Sequence, residues 1–397
     1  MDTEAPVART LYERALRSLP GGNSRSTLWV DPHPPYAACG EGCEIVDVDG
    51  RRAIDLQNNY TALVHGHAFE PVTRAVVAAL EEGSAFGLPT PSEIDMAECL
   101  VGRVGWAERW RFANSGTEAV MMAVRAARAV TGRDGLLRFS DCYHGSWDAV
   151  VPRVAPGVPE GAQRDVVEVT LGDGEAFVAA LDEHEGRLAA VLLDLMPNYA
   201  GLRPLDSAFV RLVREQTTSR GIALVIDEVV TFRLAPAGLH SLYGIEGDLI
   251  VLGKMIGGGF PVGAIGGRAS FMEVFDPRRG DAVRHGGTFS ANPVTMRAGV
   301  AALEALQLPD IERIDVLGDR LRESLLERGW SVGGRGSLLK IGARDPTGLW
   351  WALYEAGVLI AGNGLACVST PMDERVLERV LLAFERVGPR AGDGERG

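Results

Sequence analysis

Two acids and one lysine follow apolar runs at positions where they could do chemistry together. Residues 222–226 are all apolar and are followed directly by Asp227 and Glu228, while residues 249–252 precede Lys254 by one glycine. Apolar runs rich in β-branched types predict strands buried on both faces of a parallel sheet. Open α/β sheets bind their ligands at the carboxyl ends of such strands. A carboxylate and an amine at that edge predict a covalent site for a carbonyl compound with a basic ring nitrogen.

Lysine is scarce in this chain. Lys254 and Lys340 are the two lysines among 40 lysine and arginine residues. Codon bias explains the scarcity, but arginine cannot condense with a carbonyl group, because its guanidinium stays protonated and delocalised. Lys340 lies in a strand-like alternation and is expected to be a solvated surface residue. Lys254 is therefore the predicted nucleophile, and the predicted cofactor is pyridoxal phosphate.

A strand followed by small residues predicts an anion site. Residues 110–114 form a short strand that runs into Ser115, Gly116 and Thr117, and a helix with one apolar face follows. Backbone N–H groups at a helix N-terminus, together with two hydroxyls, can hold a phosphate. Ser and Thr also cap helices that bind no ligand, so this motif alone leaves both interpretations open.

The composition narrows the class of protein. The net charge of −13 argues against binding to nucleic acid or to an anionic membrane surface. No apolar run approaches the roughly 18 residues of a spanning helix, and the acidic start of the chain lacks the apolar core of a signal peptide. These features predict a cytoplasmic protein. The five cysteines are scattered and the pair His65 and His67 lacks further ligands, so no metal site is expected.

Strands alternate with helices along the chain, which predicts a right-handed, doubly wound α/β fold. Residues 135–140 and 188–193 form further buried strands, the second ending at Asp194. We expect a large domain over residues 61–300 with a mostly parallel central sheet. Residues 1–60 and 301–397 are expected to form a smaller α/β domain from both chain ends. Residues 151–168, rich in proline and glycine, are expected to be a surface loop over the site.

Five sequence blocks carry a family resemblance. They are Asn-Ser-Gly-Thr-Glu-Ala at 114–119, Tyr-His-Gly at 143–145, Ile-Asp-Glu-Val at 226–229, Leu-Gly-Lys-Met-Ile-Gly-Gly-Gly at 252–259 and Gly-Thr-Phe-Ser-Ala-Asn-Pro at 287–293. With these blocks the chain, from about Leu11 to Val387, resembles the class III (subgroup II) aminotransferases of the pyridoxal-phosphate-dependent transferase fold type I. It is most similar to glutamate-1-semialdehyde 2,1-aminomutases and to β-amino-acid (β-phenylalanine-type) aminotransferases.

The resemblance implies roles around the cofactor ring. Lys254 would carry the cofactor covalently and, once displaced by the substrate amine, would move a proton between the substrate and the cofactor. Asp227 would pair with the pyridine nitrogen and make the ring a better electron sink. Val229 would pack on one ring face and Tyr143 would stack on the other. His144 would also lie at the cofactor, although Tyr143 and His144 could instead be simple packing residues.

The resemblance also implies roles away from the ring. The phosphate would be held by Ser115, Gly116 and Thr117, and by Thr288 of a neighbouring subunit, because the family site lies at a homodimer interface. Arg25 would bind the substrate carboxylate, for which a bidentate guanidinium is suited. A solvated loop arginine is the alternative interpretation of Arg25.

Several positions depart from the family pattern. Asp194 stands where relatives have a Glu-Pro pair, and residues 57–60, which end at Tyr60, replace an aromatic-glycine stretch of the aminomutases. We expect Asp194 and Tyr60 to contact the substrate. Residues 362–364 lack the second arginine that β-phenylalanine-type enzymes offer, so the substrate stays open.

The predicted function is that of a class III aminotransferase. It would move an amino group between a β- or γ-amino acid and a keto acid or aldehyde. One alternative is an intramolecular aminomutase, with residues 151–168 as a lid, and another is a racemase or epimerase. A non-catalytic binding protein that kept the fold is the alternative from a different class.

Overall fold

The computed structural model describes residues 6–389. These residues form two compact units, of which one combines the described residues up to Glu70 with those from Glu312 onward. The other unit runs from Pro71 to Ile311. These boundaries lie about ten residues beyond the expected boundaries at 60 and 300.

Local contacts explain both displacements of the boundary. The backbone N–H of His67 donates to the carbonyl of Gly42 at 2.7 Å, which ties residues 61–70 to the N-terminal segment. Residues 301–305 are the end of the helix Pro293–Ala305, which packs against the helix Pro91–Arg103 of the same unit. A sequence pattern does not reveal such packing partners.

Fourteen strands are described within residues 6–389. In chain order they are β1 (Ala37–Glu41), β2 (Glu44–Asp47), β3 (Arg52–Asp55), β4 (Arg109–Ala113), β5 (Gly135–Phe139), β6 (Val166–Val169), β7 (Leu188–Asp194), β8 (Ala223–Asp227), β9 (Leu249–Gly253), β10 (Gly263–Gly267), β11 (Ser331–Arg335), β12 (Leu338–Gly342), β13 (Val358–Leu359) and β14 (Leu365–Cys367).

Besides six short 3-10 helices, the same part of the chain contains thirteen α-helices. In chain order they are α1 (Val7–Ala15), α2 (Asn58–Thr61), α3 (Glu70–Glu82), α4 (Pro91–Arg103), α5 (Gly116–Thr131), α6 (Gly174–Glu183), α7 (Ser207–Ser219), α8 (Leu239–Tyr243), α9 (Ala269–Met272), α10 (Pro293–Ala305), α11 (Leu308–Glu327), α12 (Pro346–Glu355) and α13 (Glu374–Val387).

The central sheet of the unit Pro71–Ile311 has seven strands in the order β4-β10-β9-β8-β7-β5-β6. Only β10 runs opposite to the other six strands, so the expected mostly parallel α/β sheet is confirmed. Every residue of β7, β8 and β9 is buried. Burial on both faces explains why these strands are continuous apolar runs without alternation.

The expected surface loop over residues 151–168 is only partly correct. Turns occupy most of it, but its end belongs to β6, which pairs with β5 at the edge of the central sheet. Val166 and Val167 stand opposite Leu136 and Leu137 in this pairing. Two adjacent β-branched residues favour an extended strand at that point, whereas the proline and glycine content describes the residues before them.

The other unit contains two smaller sheets, with strand orders β1-β2-β3-β13 and β11-β12-β14. Lys340 lies in β12 and pairs with Gly333 on one side and Leu365 on the other. Lys340 is half-buried in the central strand of this sheet, so the expectation of a solvated surface lysine was only partly correct. Burial lowers the pKa of the Lys340 amine to about 8.

Among the helices of residues 6–389, none combines the length and the apolar character that crossing a membrane requires.

Candidate active site

The parallel strands place two acids and a lysine at one edge of the central sheet. Asp194 ends β7 and Asp227 ends β8, and the two residues are register partners in the sheet. Lys254 directly follows β9, which is the neighbour of β8 on its other side. The backbone of Lys254 has a φ of 48°, which is uncommon for a residue other than glycine. Strain of this kind concentrates at functional sites.

The amine of Lys254 lies in a dense environment, although the residue as a whole keeps partial exposure. Burial lowers the pKa of this amine, and the negative charges of Asp227 and Asp194 oppose that effect only in part. A lowered pKa increases the fraction of neutral amine near neutral pH. Neutral amine is the nucleophilic form, so the setting suits covalent chemistry with a carbonyl group.

Asp227 is fixed by hydrogen bonds on both carboxylate oxygens. Nδ1 of the buried His144 lies 2.6 Å from Oδ2, and the backbone N–H of Val229 donates to Oδ1 at 3.1 Å. Within the described residues, Nε2 of His144 is buried and has no hydrogen-bond partner. His144 therefore holds the carboxylate of Asp227 in place, and the sequence did not predict this contact. The two residues are 83 positions apart, so no sequence spacing signals their contact.

The side chain of Val229 packs between the end of strand β9 and the start of helix α5. A Cβ built on Gly116 would stand 3.2 Å from Cγ2 of Val229, and a Cβ on Gly253 would stand 3.4 Å from Cγ1. The absence of side chains at these two glycines leaves room for the isopropyl group. Val229 thus lies between the predicted anion site and the residue that precedes Lys254.

The N-terminus of α5 has the form expected of an anion site. Oγ of Ser115 accepts from the N–H of Glu118 at 3.2 Å and caps the helix. The first intrahelical hydrogen bond is donated by the N–H of Ala119 to the carbonyl of Ser115. The N–H groups of Gly116 and Thr117 precede it and have no carbonyl partner within the helix. Unbonded N–H groups and the helix dipole favour a bound anion at this position.

The turn that contains Tyr143 and His144 packs against the same helix end. The N–H of Ser146 donates to Oγ1 of Thr117 at 3.3 Å. Gly145 has a φ of +101°, and a Cβ built on it would stand 2.3 Å from Oγ1 of Thr117. Glycine is required here both by the backbone conformation and by this close approach.

Asp194 is buried beside Asp227 and not on an open surface. Its Oδ1 accepts a hydrogen bond from the N–H of Met196 at 2.9 Å. Burial raises the pKa of Asp194 to about 7, and the negative charge of Asp227 adds to that effect. A carboxyl group with this pKa can hold or release a proton near neutral pH.

Tyr143 is exposed and makes an edge-to-face contact with Tyr199, with ring centroids 6.1 Å apart. Tyr199 lies outside the five sequence blocks that carry the family resemblance. It belongs to the segment that follows Asp194, and a tyrosine placed shortly after a strand end was the available signal.

Three of the expected site residues belong to other local structures. Thr288 lines a separate surface cavity formed with residues 85–90 and 290–293. Arg25 and Tyr60 belong to the other unit and contact each other, since the guanidinium carbon lies 5.4 Å from the ring centroid. Their predicted roles stay predictions.

Glu228 faces away from this cluster, because successive side chains of an extended chain point to opposite sides. Its carboxylate is fully buried and accepts from the N–H groups of Leu239 at 2.7 Å and His240 at 2.5 Å. The His240 ring also contacts Glu228 and accepts from the Trp106 indole at 2.9 Å. Glu228 therefore anchors α8, a structural role that sequence reasoning missed.

Comparison with known proteins gives concordant matches. The family model "Aminotransferase class-III" matches residues 29–372. A glutamate-1-semialdehyde 2,1-aminomutase of Akkermansia muciniphila is 36% identical over 422 residues, covering 95% of this chain and 99% of that protein. The crystal structure of an ω-transaminase from Sphaerobacter thermophilus is 41% identical, with a TM-score of 0.93 and coverage of 100% and 99%. A β-phenylalanine aminotransferase from Variovorax paradoxus is 34% identical, with a TM-score of 0.89 and coverage of 97% and 94%.

Proposed function

The chain belongs to the class-III aminotransferases, which depend on pyridoxal phosphate, and we propose that it transfers an amino group between a β- or γ-amino acid and a keto acid or aldehyde. The observation that carries this proposal is the cluster of Lys254, Asp227 and the N-terminus of α5 within one unit. Each member matches one functional group of the cofactor.

The residues fit pyridoxal phosphate in three respects. Lys254 offers an amine of lowered pKa for the carbonyl carbon, and Asp227 offers a fixed carboxylate for the ring nitrogen. Ser115, Gly116 and Thr117 offer N–H groups and hydroxyls for the phosphate. When bound, the cofactor supplies an electron sink for the carbon from which the substrate loses a proton.

We assign the remaining steps to side chains of the cluster. Lys254 holds and moves the proton at its Nζ atom, and the lowered pKa of its amine favours the neutral form that can accept a proton. His144 orients the carboxylate of Asp227 through the 2.6 Å hydrogen bond. Val229 fills the space beside Gly116 and would limit one face of the ring. Tyr143 would cover the other face, with Tyr199 beside it.

We further propose that Arg25 binds the carboxylate of the substrate. Its side chain is exposed and, within residues 6–389, makes no ion pair with an acidic side chain. A guanidinium without an acidic partner keeps its charge available for an incoming carboxylate. Tyr60 lies beneath it and would contact the same substrate. We also propose that the protein is a homodimer in which Thr288 of one subunit reaches the phosphate site of the other.

An intramolecular aminomutase is the second candidate, because the curated relative from Akkermansia muciniphila is named as one. A requirement for an external amino donor separates the two functions. The aminomutase would rearrange an aminoaldehyde without any donor, whereas the aminotransferase needs one. An epimerase would instead exchange the substrate proton with solvent without forming a keto product.

The two lysines of the chain allow a clean test of the covalent step. The protein is incubated with pyridoxal phosphate and reduced with borohydride, and the labelled peptide is identified by mass spectrometry. We expect the label on Lys254, its loss in Lys254→Ala and its retention in Lys340→Ala. Lys340 is a stringent control because its pKa is also lowered, to about 8.

The same preparation then identifies the substrate class. Absorbance of the bound cofactor is recorded while α-, β- and γ-amino acids are added one at a time. We expect conversion to the amine form of the cofactor with β- or γ-amino acids. A label on Lys340 or on neither lysine would contradict the active-site assignment, and a response confined to aminoaldehydes would favour the aminomutase.

A further inference from the structure

Residues 58–61 form a turn with an unusual backbone. The φ values of Asn58, Asn59, Tyr60 and Thr61 are 46°, 47°, 57° and 73°, so four successive residues other than glycine are left-handed. L-residues avoid this region because Cβ approaches the following carbonyl, although asparagine tolerates it better than most. A run of four such residues persists only where the surrounding structure holds it in place.

Asp55 and Asn58 hold this turn. Oδ1 of Asp55 accepts from the N–H groups of Gln57 and Asn58, both at 2.8 Å. The side-chain amide of Asn58 donates to the carbonyls of Asp55 at 2.8 Å and Cys367 at 3.2 Å. Asp55 and Asn58 are both buried, so these bonds are protected from water. The turn is therefore a rigid support for the side chains that it presents.

The turn presents two side chains to Arg25. Oδ1 of Asn59 accepts from Nη1 of Arg25 at 2.7 Å, and the Tyr60 ring lies 5.4 Å from the guanidinium carbon. The Tyr60 hydroxyl donates to the carbonyl of Thr27 at 2.5 Å, which fixes the ring close to Arg25 in the chain. One nitrogen and one face of the guanidinium are thus engaged. Within the described residues, its Nε and Nη2 make no hydrogen bond.

We propose that Asn59 is a positioning residue that orients Arg25 and makes the site selective for carboxylate-bearing substrates, an inference that rests on the role proposed above for Arg25. Asn59 accepts a hydrogen bond without adding charge, so the positive charge of Arg25 stays uncompensated. An aspartate at the same position would form a charge-assisted pair with Arg25 and compete with the substrate carboxylate. The neutral amide is therefore the feature that keeps Arg25 available.

Two variants of Asn59 separate orientation from charge. Asn59→Asp keeps the size of the side chain and the tolerance for left-handed backbone, and adds the competing charge. Asn59→Gly removes the hydrogen bond without backbone strain, because glycine adopts a φ of 47° freely. Arg25→Ala serves as the reference for complete loss of the guanidinium. The holoenzyme of each variant is assayed with the amino acid donor identified by the absorbance panel.

The readouts are kcat and KM for that donor and the inhibition constant of a matching carboxylate that lacks the amine. We expect Asn59→Asp to raise KM and the inhibition constant by about tenfold or more, because the substrate would lose a charge-assisted hydrogen bond to Arg25. The value of kcat should stay nearly unchanged. Asn59→Gly should raise both by about two- to fivefold. Cofactor absorbance verifies that each variant retains the active-site lysine chemistry.

The outcomes distinguish this inference from the proposal on which it rests. If Arg25→Ala leaves KM and the inhibition constant unchanged, the carboxylate role of Arg25 is refuted. If Arg25→Ala raises both but Asn59→Asp resembles the wild type, the inference about Asn59 alone is overturned. Should Asn59→Asp fail to fold, Asn59→Gly decides the matter, since unchanged constants in that variant overturn the positioning role.

Discussion

Replacing Asp194 by asparagine should change how the stability of the protein depends on pH. Asp194 is buried beside Asp227, and burial raises its pKa from 3.8 to about 7. In the unfolded chain this carboxyl loses its proton near the lower value. Folded protein therefore binds more protons than unfolded protein between these two pH values. The stabilisation linked to this proton is complete below pH 3.8 and is lost as the pH rises to about 7.

The magnitude follows from the size of the pKa difference. A difference of about 3 pKa units corresponds to at most about 4 kcal/mol, at roughly 1.4 kcal/mol per unit. Asparagine cannot titrate, and its Oδ1 can still accept the hydrogen bond from Met196. The free energy of unfolding of the wild type should therefore fall relative to Asp194→Asn by up to about 4 kcal/mol between about pH 4 and pH 8.

Urea unfolding of both proteins at a series of pH values tests this prediction. Asp134→Asn is the matched control, since it removes the same charge from an exposed position. Infrared difference spectra provide a direct check, because the band of a protonated carboxyl should disappear with a midpoint of about 7 and be missing in Asp194→Asn. The reasoning would be refuted if the difference in free energy of unfolding between the wild type and Asp194→Asn were constant with pH. It would also be refuted if that difference changed in favour of the wild type as the pH rises.

Three further substitutions test other parts of the active-site unit. His144→Ala removes the hydrogen-bond partner of Asp227 and should lower kcat about 10- to 100-fold, measured by steady-state kinetics with cofactor saturating. Glu228→Gln replaces a buried carboxylate that accepts several hydrogen bonds from N–H groups by a neutral amide with one acceptor oxygen. This substitution should lower the free energy of unfolding by about 2–4 kcal/mol, measured by urea unfolding. Gly145→Ala should weaken cofactor binding, measured by equilibrium dialysis, because the added Cβ would collide with Thr117.

Glu228→Gln and Gly145→Ala each have a control in the same unit. Glu246→Gln alters an exposed ion pair and should change the free energy of unfolding by less than about 1 kcal/mol. Gly186→Ala also introduces a side chain at positive φ, but no atom lies within 4 Å of its Cβ, so cofactor binding should be unaffected. Equal effects of Gly145→Ala and Gly186→Ala would show that strain alone, and not the contact with Thr117, is responsible. An unchanged kcat in His144→Ala would contradict the role of His144.

The local sequence determined the parts of this protein that depend on nearest neighbours and on strand direction. Continuous apolar runs predicted β7, β8 and β9, since strands buried on both faces have no polar alternation. Because parallel strands end at the same edge, the sequence also predicted that Asp227 and Lys254 would come together. The small residues at 115–117 predicted a helix N-terminus, because their backbone and hydroxyl groups favour that local conformation.

Only the tertiary structure decided which distant side chains meet. The contact of His144 with Asp227, the hydrogen bond from Arg25 to Asn59 and the strand pairing of Lys340 with Leu365 each join segments that have no fixed spacing in sequence. The pKa of Asp194 likewise depends on the density of protein and charge around it. Hydrogen bonding and desolvation act over a few ångströms in space, so they follow the packing of the folded chain and not the order of its residues.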